Sequence, residues 1–223
     1  MSTKFEALGT PNAVRATLRR LLQLKVQAPY SLEDMAQDAV GLLDALEVRR
    51  AHIVGASMGG MIAQILAARH ADRVESLTLI MSSPGAPQPW DTTAAARWVL
   101  LARSPPGATL EELIDMRVRT YQVIGGVNQS ATREQMAELA RRVVERSSDS
   151  SGSRRQLVAT QKSGSLRRLC RTIQAPTLVL HGTARAHRRQ RTAIARWDGH
   201  NLPRPLLLAI AAAIVRNCAR ARR

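Results

Sequence analysis

HIVGASMGGMIAQILA (residues 52–67) passes from a short apolar run through Gly55-Ala56-Ser57-Met58-Gly59 into a segment of small and apolar residues. The opening run is too brief for a helix and reads as a strand, whereas MIAQILAARH suits a helix packed on a sheet. A strand that turns sharply into a helix displays the side chain at the turn. It also leaves the first N–H groups of the helix without intrahelical acceptors. Ser57 is therefore a candidate nucleophile, and the Met58 N–H a candidate donor to a developing oxyanion. Gly55 and Gly59 flank the turn where side chains are expected to crowd the strand and the helix. Gly-x-Ser-x-Gly can also be a plain glycine-rich turn, but composition alone gives about 0.05 matches in a chain of this length. The strand before it and the helix after it are the context that the chemistry requires.

Working outward, SLTLIMSS (76–83) and APTLVLHG (175–182) are two further near-continuous apolar runs. Strands of this kind separated by helices predict a parallel sheet covered on both faces. Upstream, residues 31–46 open with the capping-box pattern Ser31-x-x-Asp34 and repeat apolar residues at helical spacing. Residues 10–24 read as a helix with Thr10 as cap, Pro11 in the first position, and Val14, Leu18, Leu21 and Leu22 on one face. Between the second and third strands, helical patterns at 91–103, 109–124 (Thr109 to Glu112 a second capping box) and 132–146 predict an inserted helical cap. SSDSSGS (147–153) reads as a polar loop, and 154–172 returns to the third strand through one or two short helices. The expected organisation is 1–85 as the first part of an α/β core, 86–153 as the cap, and 154–223 as the rest of the core.

Residues 31–46, AHIVGASMGGMIAQILAARH, SLTLIMSS and APTLVLHG together resemble the core of the α/β-hydrolase superfamily, in particular its bacterial serine esterases. The likeness runs to about residue 184. It implies a partial α/β-hydrolase fold and acyl transfer to Ser57 through an acyl-enzyme, with a histidine as general base and an acid orienting it. DGHNLPRP (198–205) resembles the family segment that carries this histidine, which maps onto His200. Of the other four histidines, His52 and His70 sit at element ends, His181 belongs to the family's HG pair, and His187 lies among arginines. A small-molecule acyl substrate is implied, with no cofactor and no metal.

Three departures from the family pattern bear on competence. The acid expected a few residues after the third strand is replaced by Arg185, which cannot accept an imidazole N–H and opposes an imidazolium. The alternative position after the second strand holds Ser82-Ser83-Pro84-Gly85, and the nearest carboxylate is Asp91. Residues 185–223 hold ten arginines against the single acid Asp198 and read as degenerate text. The family's earlier strands, and the loop that gives a second oxyanion donor, have no counterpart here, so the chain reads as truncated at its N-terminus. Its first strand is then expected to expose an apolar edge, which allows self-association. The sequence thus supports an impaired serine hydrolase, with an inactive relative of the same fold as the alternative.

The net charge of +16 raises a further alternative, a basic protein that binds nucleic acid nonspecifically. One Phe, two Tyr and three Trp offer little for stacking bases, so specific recognition is not expected. No apolar run is long enough to span a membrane, and no membrane partner is expected. The N-terminal residues lack the apolar core of a secretory signal, so a cytoplasmic location is expected, with Cys170 and Cys218 as reduced thiols.

Overall fold

The computed structural model describes residues 9, 11–85, 94–102, 104–105, 107–125, 131–146, 150–181 and 206–221. Three strands, β1 (Ala51–Ala56), β2 (Val74–Ile80) and β3 (Thr177–Leu180), form one sheet in the order β1-β2-β3, with both pairings parallel. These are the three apolar runs of the sequence. Parallel pairing requires each connection to cross back over the sheet, and the crossovers are helical. Helices α1 (Ala13–Leu21) and α2 (Leu32–Ala45) precede β1. Helix α3 (Met58–Arg69) and a 3-10 turn (Ala71–Arg73) join β1 to β2. Helices α4 (Ala94–Leu101), α5 (Leu110–Ile124), α6 (Arg133–Arg146), α7 (Ser150–Ser163) and α8 (Arg167–Cys170) lie between β2 and β3, and α9 (Leu207–Arg220) follows.

Alternation along β2 divides the core. Leu77 and Leu79 join Ile65 and Leu66 of α3 and Leu32, Ala36 and Val40 of α2 in one apolar cluster. On the opposite face, Ile80 meets Leu178, Leu180 and Ile210 of α9. Asn217 pins α9 there, its buried amide donating to the Leu77 carbonyl at 2.9 Å and the Pro176 carbonyl at 3.3 Å. Residues 207–220, within the stretch read as degenerate, thus form a helix that covers the sheet. β1 lies at the edge of the sheet, and Val54, on the α9 face, is 50% exposed.

Helices form within the three stretches expected to be helical between β2 and β3, and α5 and α6 share a core of their own through Ile114, Val118, Met136, Ala140 and Val144. Both capping boxes form: Ser31 Oγ donates to Asp34 at 2.8 Å, and the Thr109 N–H donates to Glu112 at 2.8 Å. Two boundaries differ from expectation. α1 is capped by Asn12, whose Oδ1 accepts from the Arg15 N–H at 3.0 Å, so Pro11 precedes the cap and does not fill the first helical position. α7 begins at Ser150, inside the stretch read as a polar loop.

Candidate active site

The three strands end along one edge of the sheet. There the Ser57 N–H donates to the Ile80 carbonyl at 2.9 Å, and the Met81 N–H to the Leu180 carbonyl at 2.8 Å. Carboxyl-terminal edges of parallel sheets are where open α/β folds place their ligands. Ser57 is the residue between β1 and α3, with φ 52° and ψ −122°. A non-glycine residue in that region costs on the order of 1–3 kcal/mol and persists only where its surroundings impose it. Here they do: β2 holds the Ser57 N–H, and the Gly60 N–H donates to the Ser57 carbonyl at 3.0 Å.

Two glycines let the turn close. A Cβ on Gly55 would stand 2.4 Å from the Gly59 carbonyl oxygen, and one on Gly60 would stand 2.5 Å from Cβ and Oγ of Ser82. At Gly59 an added Cβ meets nothing within 4 Å, so the crowding expected of Gly59 belongs to its neighbour Gly60. Ser57 makes no side-chain capping bond to α3, although serine is a favoured cap. Met58 occupies the first helical position, where its N–H has no acceptor four residues back, at the positive end of the helix dipole. The Met58 side chain is half-buried against the core that includes Ile65 and Leu77.

One turn further along α3, Gln64 is 2% exposed. Its Nε2 donates to the Gly60 carbonyl at 3.0 Å and the Ser83 carbonyl at 3.1 Å, and its Oε1 accepts from Cys170 Sγ at 2.9 Å. Burial pushes the Cys170 thiol up, which keeps it protonated and a donor. Gln64 therefore ties the helix that starts at Ser57 to the end of β2 and to α8. A lone amide inside the apolar run MIAQILAA is the sequence signal that could have pointed to it.

The other sequence candidates fall into two groups. His200, Arg185, Asp91 and His187 lie outside the described residues. His70 caps the C-terminus of α3. His181 follows β3 directly, at the same sheet edge as Ser57 with β2 between them. His52 lies at the opposite end of β1, where its Nδ1 is 2.9 Å from Ser76 Oγ and its Nε2 is 3.0 Å from a Glu75 carboxylate oxygen. Among the described residues no group of three or more His, Cys, Asp or Glu is placed to hold a metal ion. Nor is any helix among them long and apolar enough to cross a membrane.

Comparison with known proteins bears on the same elements. The family model of the alpha/beta hydrolase fold matches residues 19–184. Rhodomycin D methylesterase from a Streptomyces species is 31% identical over 116 residues, which are 44% of this chain and 39% of that one. The 2-hydroxymuconate semialdehyde hydrolase of a Pseudomonas species is 40% identical over 89 residues, 40% of this chain and 30% of that one. This chain thus spans well under half the length of these curated relatives. Among solved structures, the enol-lactonase from Burkholderia xenovorans aligns with a TM-score of 0.63 at 24% identity, over 86% of this chain and 75% of that one. A hydrolase from Pseudomonas aeruginosa aligns at 0.59 and 23%, over 95% and 86%. At those identities the likeness concerns the fold.

Proposed function

The chain belongs to the α/β-hydrolase family, and on that premise we propose that it is a serine hydrolase acting on an ester or similar acyl substrate, with Ser57 as nucleophile. The observation that carries this reading is the backbone of Ser57: a strained turn, held by β2, at the mouth of a helix. Ser57 Oγ attacks the acyl carbon while its proton passes to His200. The carbonyl oxygen takes up the negative charge and accepts from the Met58 N–H. Collapse expels the alcohol, which takes the proton from His200, and leaves Ser57 acylated. Water then attacks the acyl carbon, gives its proton to His200, and releases the acid as the proton returns to Ser57.

Turnover is impaired in this proposal because Arg185 stands at the position that matches the family's acid. Loss of the orienting acid costs about 10⁴-fold where the other members of a triad remain. Two measurements separate nucleophile from competence. A fluorophosphonate probe should label the purified chain at Ser57 and fail to label Ser57→Ala. Hydrolysis of an activated aryl ester should exceed that of Ser57→Ala but remain far below an intact esterase. Absence of labelling would leave the inactive-relative reading in place.

A further inference from the structure

Helix α1 is turned the opposite way from an ordinary surface helix. Its inward contact with α7 is made of small residues, Ala13 and Ala16 against Val158. Its large aliphatics point outward: Val14, Leu18, Leu21, Leu22 and, just past the helix, Leu24 are all about half exposed or more, Leu22 reaching 68%. The usual arrangement buries the large apolar stripe and leaves the small or polar one in water. On the inner side Arg20 Nη1 also bonds to α7, donating to the Gln161 carbonyl at 3.2 Å.

The chemistry beside this ridge is cationic. Arg15 and Arg19 follow Val14 and Leu18 by one position each and so lie along one flank of the ridge. They line a cavity of about 310 Å³ with Asn12, Gln27 and Pro29. Residues 9–32 carry Arg15, Arg19, Arg20 and Lys25 and no acidic residue, within a chain of net charge +16. A continuous aliphatic ridge bordered by arginines, with no aromatic side chain among Val14, Leu18, Leu21, Leu22 and Leu24, suits a fluid anionic surface. The core of a protein interface is ordinarily rich in aromatic side chains.

We propose that α1 is an interfacial helix that docks the protein on an anionic lipid bilayer. The leucine ridge enters the acyl boundary, and Arg15 and Arg19 receive the headgroup phosphates in the cavity beside it. This differs from the sequence expectation of no membrane partner, which rested on spanning length alone. It is independent of the chemistry at Ser57.

The test is co-sedimentation of the full chain with vesicles of phosphatidylglycerol and phosphatidylcholine, and with phosphatidylcholine alone, at about physiological salt. Binding to the anionic vesicles is expected. It should weaken by about tenfold or more in Leu18→Ser/Leu21→Ser and in Arg15→Gln/Arg19→Gln. Arg216→Gln/Arg220→Gln, which removes the same charge from α9, should change it less than about twofold. Leu22→Ser/Leu24→Ser alters the ridge beyond the last helical residue and should also weaken binding, which guards against loss of α1 itself; far-UV circular dichroism checks each variant. The proposal falls if the anionic vesicles do not bind the chain, if phosphatidylcholine alone binds it equally, or if the α9 variant loses as much as the α1 arginine variant. It also falls if sedimentation velocity shows a dimer that the leucine variants dissociate, since a second copy would then cover the ridge.

Discussion

Two serines, one at each end of the sheet, make opposite cases. Ser76 has what a list of side chains would ask for: a hydroxyl 2.9 Å from one nitrogen of His52, and a Glu75 carboxylate 3.0 Å from the other. What distinguishes Ser57 is its backbone. Ser76 is 1% exposed, lies in the body of β2, and its Oγ is also 3.8 Å from Cys218 Sγ. No acyl carbon can approach it, and no helix begins there to receive an oxyanion. Ser57 is half-buried at a strained turn with a helix N-terminus behind it. A hydroxyl, an imidazole and a carboxylate in a row satisfy one another whether or not a substrate can reach them. Access for a substrate and donors for an oxyanion are the further requirements of nucleophilic catalysis.

The largest effect should come from the serines themselves. Ser57→Ala is expected to abolish fluorophosphonate labelling and to lower aryl-ester hydrolysis to the uncatalysed background, while Ser76→Ala keeps both within about twofold once folding is controlled. Labelling that survives in Ser57→Ala and disappears in Ser76→Ala, with the adduct mapped by mass spectrometry, would invert the comparison.

Next in size are the glycines that allow the turn at Ser57 to close. Gly55→Ala and Gly60→Ala each force a Cβ into contact with atoms that cannot simply rotate away, a backbone carbonyl in one case and the Cβ of Ser82 in the other. Each should cost about 3 kcal/mol in urea denaturation, the upper range for overpacking. Gly59→Ala meets nothing and gains helix propensity, so it should be neutral or stabilising by up to about 1 kcal/mol. Equal destabilisation at 59 and 60 would show that the close approach to Ser82 does not limit the turn.

That pair of glycines also marks where the sequence stops being legible. The strand, the turn at Ser57 into α3 and the two capping boxes are local patterns, and all of them form. Neighbouring residues on a helix differ by about 100° in direction, so a Gly-Gly doublet cannot reveal which member faces β2. Only the position of Ser82 decides it. The same holds for α9: the arginines of 185–223 dominate a charge count, while the apolar run Leu206–Ile210 and Asn217 find their place only once β2 and β3 exist. Asn12, not Thr10, caps α1; both are good capping residues two positions apart, so local pattern does not choose between them. Family resemblance reached His200 and Arg185, which local patterning could not, and both lie outside the described residues.

Gln64 should give a smaller, mixed effect. Gln64→Leu leaves the Ser83 carbonyl and the Cys170 thiol without their buried partner, at a cost of about 2 kcal/mol. Because the same amide holds the start of α3 to the end of β2, phosphonate labelling should also slow, by about tenfold, under conditions where the variant is fully folded. Gln64→Glu should recover little of either, since a carboxylate facing two carbonyls cannot donate to them. Loss of stability with an unchanged labelling rate would make Gln64 a packing residue and nothing more.

The smallest effect is expected where the side-chain list looks best. His52 and Glu75 are both partly exposed, so their contact is screened by solvent and should couple by less than about 1 kcal/mol in a double-mutant cycle of His52→Ala and Glu75→Ala. Ser76 keeps a second partner in Cys218 when His52 is removed, which limits the cost of a buried hydroxyl left behind. His52→Ala should leave labelling at Ser57 unchanged, because the pair sits at the amino end of β1, five residues and the length of the strand from the elbow. A large fall in labelling, with stability intact, would mean that the far end of the sheet is coupled to the elbow after all. The contrast between the two serines would then be one of access and not of function.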